Sequence, residues 1–230
     1  MMARPYTGNA DAPATGTRPG LNGFIKAATE KRKTLVGDVS FWGLTNIGTF
    51  VNRLMRSAPA GITPSSPDYK KWVSVHATGR AVDLGWTDRA KAEDFIKFLE
   101  KHADALGIEE IHDYFYAGPA GQWGRGWRCN RNGVAGWKIY DANDNAGTPG
   151  GQWVHVEISP AMAADEKKAY DIFKAEFEKY LGQKKVEDYL KGLAEEAKKK
   201  AAEENKLSKE EKELRKKNRA AAEKALKEKK

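Results

Sequence analysis

The chain has 230 residues, with 40 Lys and Arg against 32 Asp and Glu, for a formal net charge of +8. Its single cysteine, Cys129, excludes an internal disulfide and a four-cysteine zinc knuckle. No apolar run reaches the roughly 18 residues of a membrane-spanning helix, and the first 20 residues lack the apolar stretch of a secretory signal.

Residues 1–20, rich in Ala, Gly, Thr and Pro and without periodicity, read as a flexible arm. The body starts near Leu21. Residues 41–55 are apolar but broken by Gly43 and Gly48, and periodicity assigns them to neither helix nor strand. Residues 59–67 hold three prolines and form a loop. Thr87 is placed to cap a helix that begins at Asp88 and ends before Gly107, with Phe95, Ile96, Leu99, His102, Ala103 and Leu106 on one face. IEEIHDYFYA then alternates as a strand does. Residues 118–136 carry six glycines, with Trp123 and Trp127 among Arg125, Arg128 and Arg131, and read as a long loop or loose hairpin. Residues 137–140 and 153–158 read as short strands. Ser159-Pro160 starts a helix, Ser as cap and Pro in the first turn, which Gly182 is placed to end.

The last 50 residues are of another kind. They hold 17 Lys and Arg against 11 Asp and Glu, one aromatic residue (Tyr189) and no proline, while all seven tryptophans lie between Trp42 and Trp153. A core is built from the first 180 residues. The remainder reads as a charged helix whose only apolar stripe is Val186, Tyr189, Leu190 and Leu193. The expected division is an arm (1–20), a domain (21–180) and a Lys/Glu/Ala-rich helical tail (181–230).

Chemistry concentrates in two segments, SVHATGRAVDLGW (74–86) and WVHVEIS (153–159). His76, Asp83 and His155 make a three-donor set for zinc, with a fourth position left for water. Asp83 and His155 fall in predicted strands, where residues two apart share a face. Trp153, His155 and Glu157 then face a site, and Val154, Val156 and Ile158 face a core.

The longer pattern, SxHxxGRAxD followed by WxHxE, resembles the zinc-peptidase family of D-Ala-D-Ala carboxypeptidases, vancomycin-resistance dipeptidases and phage L-Ala-D-Glu endolysins, whose fold the hedgehog signalling domain shares. The resemblance covers roughly residues 21–159, and the body as a whole looks like proteins of actinobacterial phages. It implies a small α+β domain with an antiparallel sheet and flanking helices, and His76, Asp83 and His155 as Zn2+ ligands. It also implies Ser74 as a substrate-binding hydroxyl, whose alternative is a turn hydroxyl bonded to backbone. Arg80 reads as a salt bridge holding the loop.

The match departs from the family at one place. The acidic general base expected three residues before the last ligand is Gln152 here, and a glutamine accepts no proton at neutral pH. Candidates for that role are Asp144, Asp141 and Glu157; the alternative for Glu157 is a carboxylate that orients a ligand histidine, and for the aspartates turn chemistry. Asp113 is a candidate to hold a substrate ammonium, and Arg53 or Arg56 to clamp a substrate carboxylate. Residues 118–136 are a candidate lid.

The resemblance implies hydrolysis of an amide bond in peptidoglycan stem peptides by a phage endolysin or a virion-associated lysin. The alternative is an impaired zinc-fold protein of the phage tail, or a cell-wall-binding one. The expected partners are bacterial peptidoglycan and, through the tail, other virion proteins. Glu interleaved with Lys in the tail argues against specific nucleic-acid binding, and the expected location is the virion or the infected host cell.

Overall fold

Strand periodicity and short turns build one sheet from segments far apart in the chain. The computed structural model describes residues 4–7, 13–34, 37–55, 58–119, 121–142 and 149–227. The chain divides into two compact units, Met1–Glu178 and Lys179–Lys230.

In the first unit, α1 (Pro19–Thr29) opens on a proline, whose fixed φ suits a first helical turn. A two-stranded hairpin follows, β1 (Lys31–Thr34) with β2 (Gly37–Ser40). The main sheet is antiparallel and has six strands. They are β3 (Thr45–Gly48), β4 (Ala81–Gly85), β5 (Ile108–Asp113), β6 (Arg125–Arg131), β7 (Val134–Ile139) and β8 (Trp153–Ile158), in the spatial order β3-β4-β8-β5-β6-β7. The last strand therefore inserts between two earlier ones. Its register sets Asp83 opposite His155 on one side and His112 opposite His155 on the other. Sheet and helices give the α+β class expected from the sequence, and the undecided stretch 41–55 supplies β3.

One face of the sheet is a dry core. Val82, Leu84, Ile111, Val154, Val156 and Ile158 have no exposed surface, each worth roughly 1.5–3 kcal/mol of burial. Helix α3 (Arg89–Lys101) packs on β5, and α1 on β3 and β4. Trp42 sits in an aromatic cluster with Phe95, Phe98 and Phe177, at centroid separations of 4.7–5.1 Å. Gly20 and Gly23 let α1 approach closely, since a Cβ on either would collide with the carbonyl of Met162 or Glu166.

Several boundaries differ from the sequence reading; α3 ends at Lys101 rather than just before Gly107. Asp88, not Thr87, caps α3, accepting from the Lys91 N–H. Ser159 does cap a helix, but that helix, α4 (Pro160–Ala163), lasts one turn before Asp165 caps α5 (Glu166–Lys227). Helix α5 runs through Gly182, because one glycine costs only about 1 kcal/mol among Ala, Lys and Glu. Residues 118–136, read as a long loop or loose hairpin, hold β6 and the first half of β7, joined by a two-residue turn in which Asn132 and Gly133 both have positive φ (55° and 84°); they are a hairpin of the main sheet rather than a lid.

The described parts of the N-terminal arm are tied down. Tyr6 N–H donates to Asn130 O, Ala14 N–H to Ala77 O and Arg18 N–H to Gly79 O. The unit Lys179–Lys230 is helical through Lys227, and its Val186, Tyr189, Leu190 and Leu193 are exposed. No helix among the described residues is long and apolar enough to cross a membrane.

Candidate metal centre

The turn that carries His76 is a short 3-10 helix, Val75–Thr78, ended by Gly79 in the left-handed conformation (φ 72°). A Cβ at Gly79 would meet the carbonyl of Gly16, so this position needs glycine twice over. The turn leads straight into β4 and Asp83. In between, buried Arg80 donates to Glu109 Oε2 at 3.1 Å and to the Ile158 carbonyl. The expected salt bridge at Arg80 is there, and it pins the start of β4 to β5 and to the end of β8.

Three donor atoms converge. His76 Nε2 lies 3.2 Å from His155 Nδ1, His155 Nδ1 lies 2.9 Å from Asp83 Oδ1, and His76 Nε2 lies 3.5 Å from Asp83 Oδ2. The group can hold a metal ion, its ligand atoms all within 4.8 Å of one another. Two ligands of a tetrahedral ion at about 2.05 Å stand about 3.3 Å apart, within the spread of the separations seen.

The imidazoles are presented correctly for ligation. His76 Nδ1 donates to the Thr49 carbonyl at 2.5 Å, which leaves Nε2 bare toward the cluster. His155 Nε2 donates to Glu157 Oε1 at 3.3 Å, which turns Nδ1 inward. A ligand imidazole whose other N–H is anchored has its ring plane and tautomer set. Burial alone would push His155 down, but hydrogen bonds to Asp83 and Glu157 push it up to about 10. Burial alone would likewise raise Asp83, yet His155 and His76 hold its carboxyl well below the usual range. A proton on His155 Nδ1 thus occupies the place a cation would take.

Comparison with protein-family models, with curated proteins and with solved structures finds no match to this chain. The chemistry of the centre rests on its own residues.

Among the sequence-predicted site residues, His76, Asp83 and His155 are brought together, and Glu157, buried, touches His155 from behind. Ser74 is buried at the start of the His76 turn, and its side chain does not cap that turn. Gln152 is exposed just before β8, where its carbonyl accepts from Trp86 N–H. Asp113 is not open to a ligand. It is fully buried, with Arg89 forked across both oxygens at 2.6 and 2.8 Å and Arg125 Nε at 3.2 Å. Arg53 is exposed and caps its own loop through the Leu54 carbonyl. Asp144 and Arg56 lie outside the described residues.

The residue that faces the centre from β5 is His112, one position before Asp113. Its ring lies 5.2 Å from that of His155. His112 Nε2 is bonded to Glu110, and the Tyr114 hydroxyl lies 3.1 Å from Nδ1. Burial alone would raise Glu110, but His112, Arg128 and Arg131 hold it well below the usual carboxylate range. Burial first, then the Asp83 charge, raises the Tyr114 phenol, so it stays a donor. Strand alternation was the available signal: His112, Glu110 and Tyr114 fall two apart on one face.

Proposed function

We propose that this protein is a zinc-dependent peptidase that hydrolyses an amide bond in peptidoglycan stem peptides, in the setting of a phage endolysin or virion-associated lysin. The observation that carries the reading is the convergence of His76 Nε2, Asp83 and His155 Nδ1, set within the longer residue pattern that resembles the zinc peptidases. The donor set suits zinc: two anchored imidazoles and one carboxylate, at tetrahedral spacing. Zinc bound there supplies Lewis acidity, which polarises a carbonyl and brings water ionisation toward neutral pH.

The chain's own groups divide the remaining work. Thr49 O and Glu157 orient the two imidazoles. The candidate bases are Glu157, which touches His155, and Asp141 and Asp144 from the segment before β8; His112 stands on the same sheet face as His155. Tyr114 and Trp153, with rings 5.3 Å apart, form an aromatic wall next to His112. Ser74 is the candidate substrate hydroxyl. The tail is the part offered to other virion proteins, and the peptidoglycan is offered to the sheet face that bears His155.

The test is zinc content of the purified chain, paired with release of new amines or D-Ala from actinobacterial peptidoglycan, with His76→Ala as control. One zinc per chain and release that depends on His76 are expected. Absence of zinc sinks the donor assignment. Zinc without release favours the second reading, an impaired wall-binding or tail protein. The exposed amide of Gln152 at the usual base position is what favours that reading. Gln152→Glu separates the two: a large gain in hydrolysis means the native site is impaired.

A further inference from the structure

The N-terminal residues end on the supports of the metal donors. Residues 4–7 run beside β6, with Asn130 N–H donating to Arg4 O and Tyr6 N–H to Asn130 O, both at 2.8 Å. The Arg131 guanidinium lies 3.7 Å from the centroid of the Tyr6 ring and clamps it. Thr7 N–H and its hydroxyl both donate to Glu109 Oε1, the carboxylate that also holds Arg80.

Held in this way, the Tyr6 hydroxyl donates to Glu157 Oε2 at 3.3 Å, while Glu157 Oε1 accepts from His155 Nε2. Burial and then the Glu157 charge raise the phenol, so Tyr6 keeps its proton and remains a donor. A carboxylate bonded through both oxygens has a set plane, and it passes that plane to the imidazole it anchors.

We propose that Tyr6 is a positioning residue of the metal centre: residues 4–7 strap it over Glu157, and its hydroxyl fixes that carboxylate and, through it, the ring of His155. The inference rests on the reading of His76, Asp83 and His155 as metal ligands. It makes the N-terminal segment a working part of the site, and any event that detaches residues 4–7 loosens the centre.

The test is titration of the full chain with Co2+, read by its visible absorption, for wild type, Tyr6→Phe and Thr7→Ala. Tyr6→Phe keeps the ring on Arg131 and removes only the hydroxyl. Wild type should bind Co2+ with the intense bands of a tetrahedral site. Tyr6→Phe should bind about tenfold more weakly, the low end of the range for groups bonded directly to a ligand histidine, with a shifted spectrum and an unchanged unfolding midpoint of the metal-free protein. Thr7→Ala removes only the hydroxyl bond to Glu109 and keeps the Thr7 N–H on it, so the strap and Tyr6 stay in place; it should lower that midpoint and leave affinity and spectrum alone. A Tyr6→Phe protein equal to wild type in affinity and spectrum overturns the proposal. So does equal weakening by Thr7→Ala, because general packing of the strap would then explain both. A wild type that binds no Co2+ overturns the metal-centre reading itself, and this proposal with it.

Discussion

The two faces of strands β5 and β8 bury charge in opposite ways. Toward the core, Asp113, level with Val154, is buried and neutralised by Arg89 and Arg125, which are cations at every physiological pH. Toward the site, Asp83 and Glu157 meet His155 and His76, whose charge is conditional, while Glu110, farther from the donors, is shared between His112 and Arg128. A carboxylate matched by arginine is finished and holds the fold. A carboxylate matched by imidazole can exchange a proton for a metal ion. The same period of two that separates core from surface in an ordinary sheet here separates structural charge from reactive charge.

The comparison can be broken most sharply at the donors. His155→Ala should abolish stoichiometric zinc by elemental analysis while leaving a folded circular-dichroism spectrum; retained zinc would mean the cluster is not the centre. On the opposite face, Trp42→Ala removes the hub of the aromatic cluster and should cost about 3–5 kcal/mol in a denaturant titration, with zinc still bound by the protein that remains folded. Arg89→Ala strips the fork from buried Asp113 and should cost about 3 kcal/mol, the Arg125 contact remaining. Loss of zinc in that variant, with stability unchanged, would show that the two faces are not separable.

Proton linkage sharpens the contrast further. The folded value of His155, about 10, lies above its ordinary 6.5. In the metal-free protein the stability it contributes is complete below about pH 6.5 and is lost as pH rises through about 10. Metal binding should release a proton at neutral pH, and affinity should rise about tenfold per pH unit until about pH 10. Calorimetry in buffers of different ionisation heat measures this, and a pH-independent affinity would contradict it. The smallest effect is at Cys129, 1% exposed, whose thiol burial pushes up to about 11. Iodoacetamide at pH 8 should label it slowly in the native protein and readily in denaturant.

Much of the site was legible because its residues sit in short alternating strands. WVHVEIS placed His155 and Glu157 on one side and Val154, Val156 and Ile158 on the other, and the structure has that arrangement. Asp113 was singled out for its charge, but parity puts it on the core side: in β5 the residue level with His155 is His112, and Asp113 is level with Val154. The glycines of residues 118–136 left loop and loose hairpin both open, although Asn132-Gly133 is a strong two-residue turn pattern that favours the hairpin the structure has. The arm at residues 1–20 looked disordered because its composition has no periodicity, and nothing local reports that Asn130, Glu109 and Gly79 will accept or offer its hydrogen bonds.

The sequence by itself determined what is local: the α+β class, the strands that carry Asp83 and His155, the Ser159 cap, the charged helix after Tyr180 and the two motifs that single out His76, Asp83 and His155. Only the tertiary structure decided what depends on strand order. Inserting β8 between β4 and β5 sets His155 between Asp83 and His112, and the long returns of residues 4–7 and 13–18 bring Tyr6 to Glu157 and a backbone brace to the His76 turn. Pairing partners separated by some 70 to 150 positions are chosen by burial and hydrogen bonding across the whole unit, and no window of the sequence contains that choice.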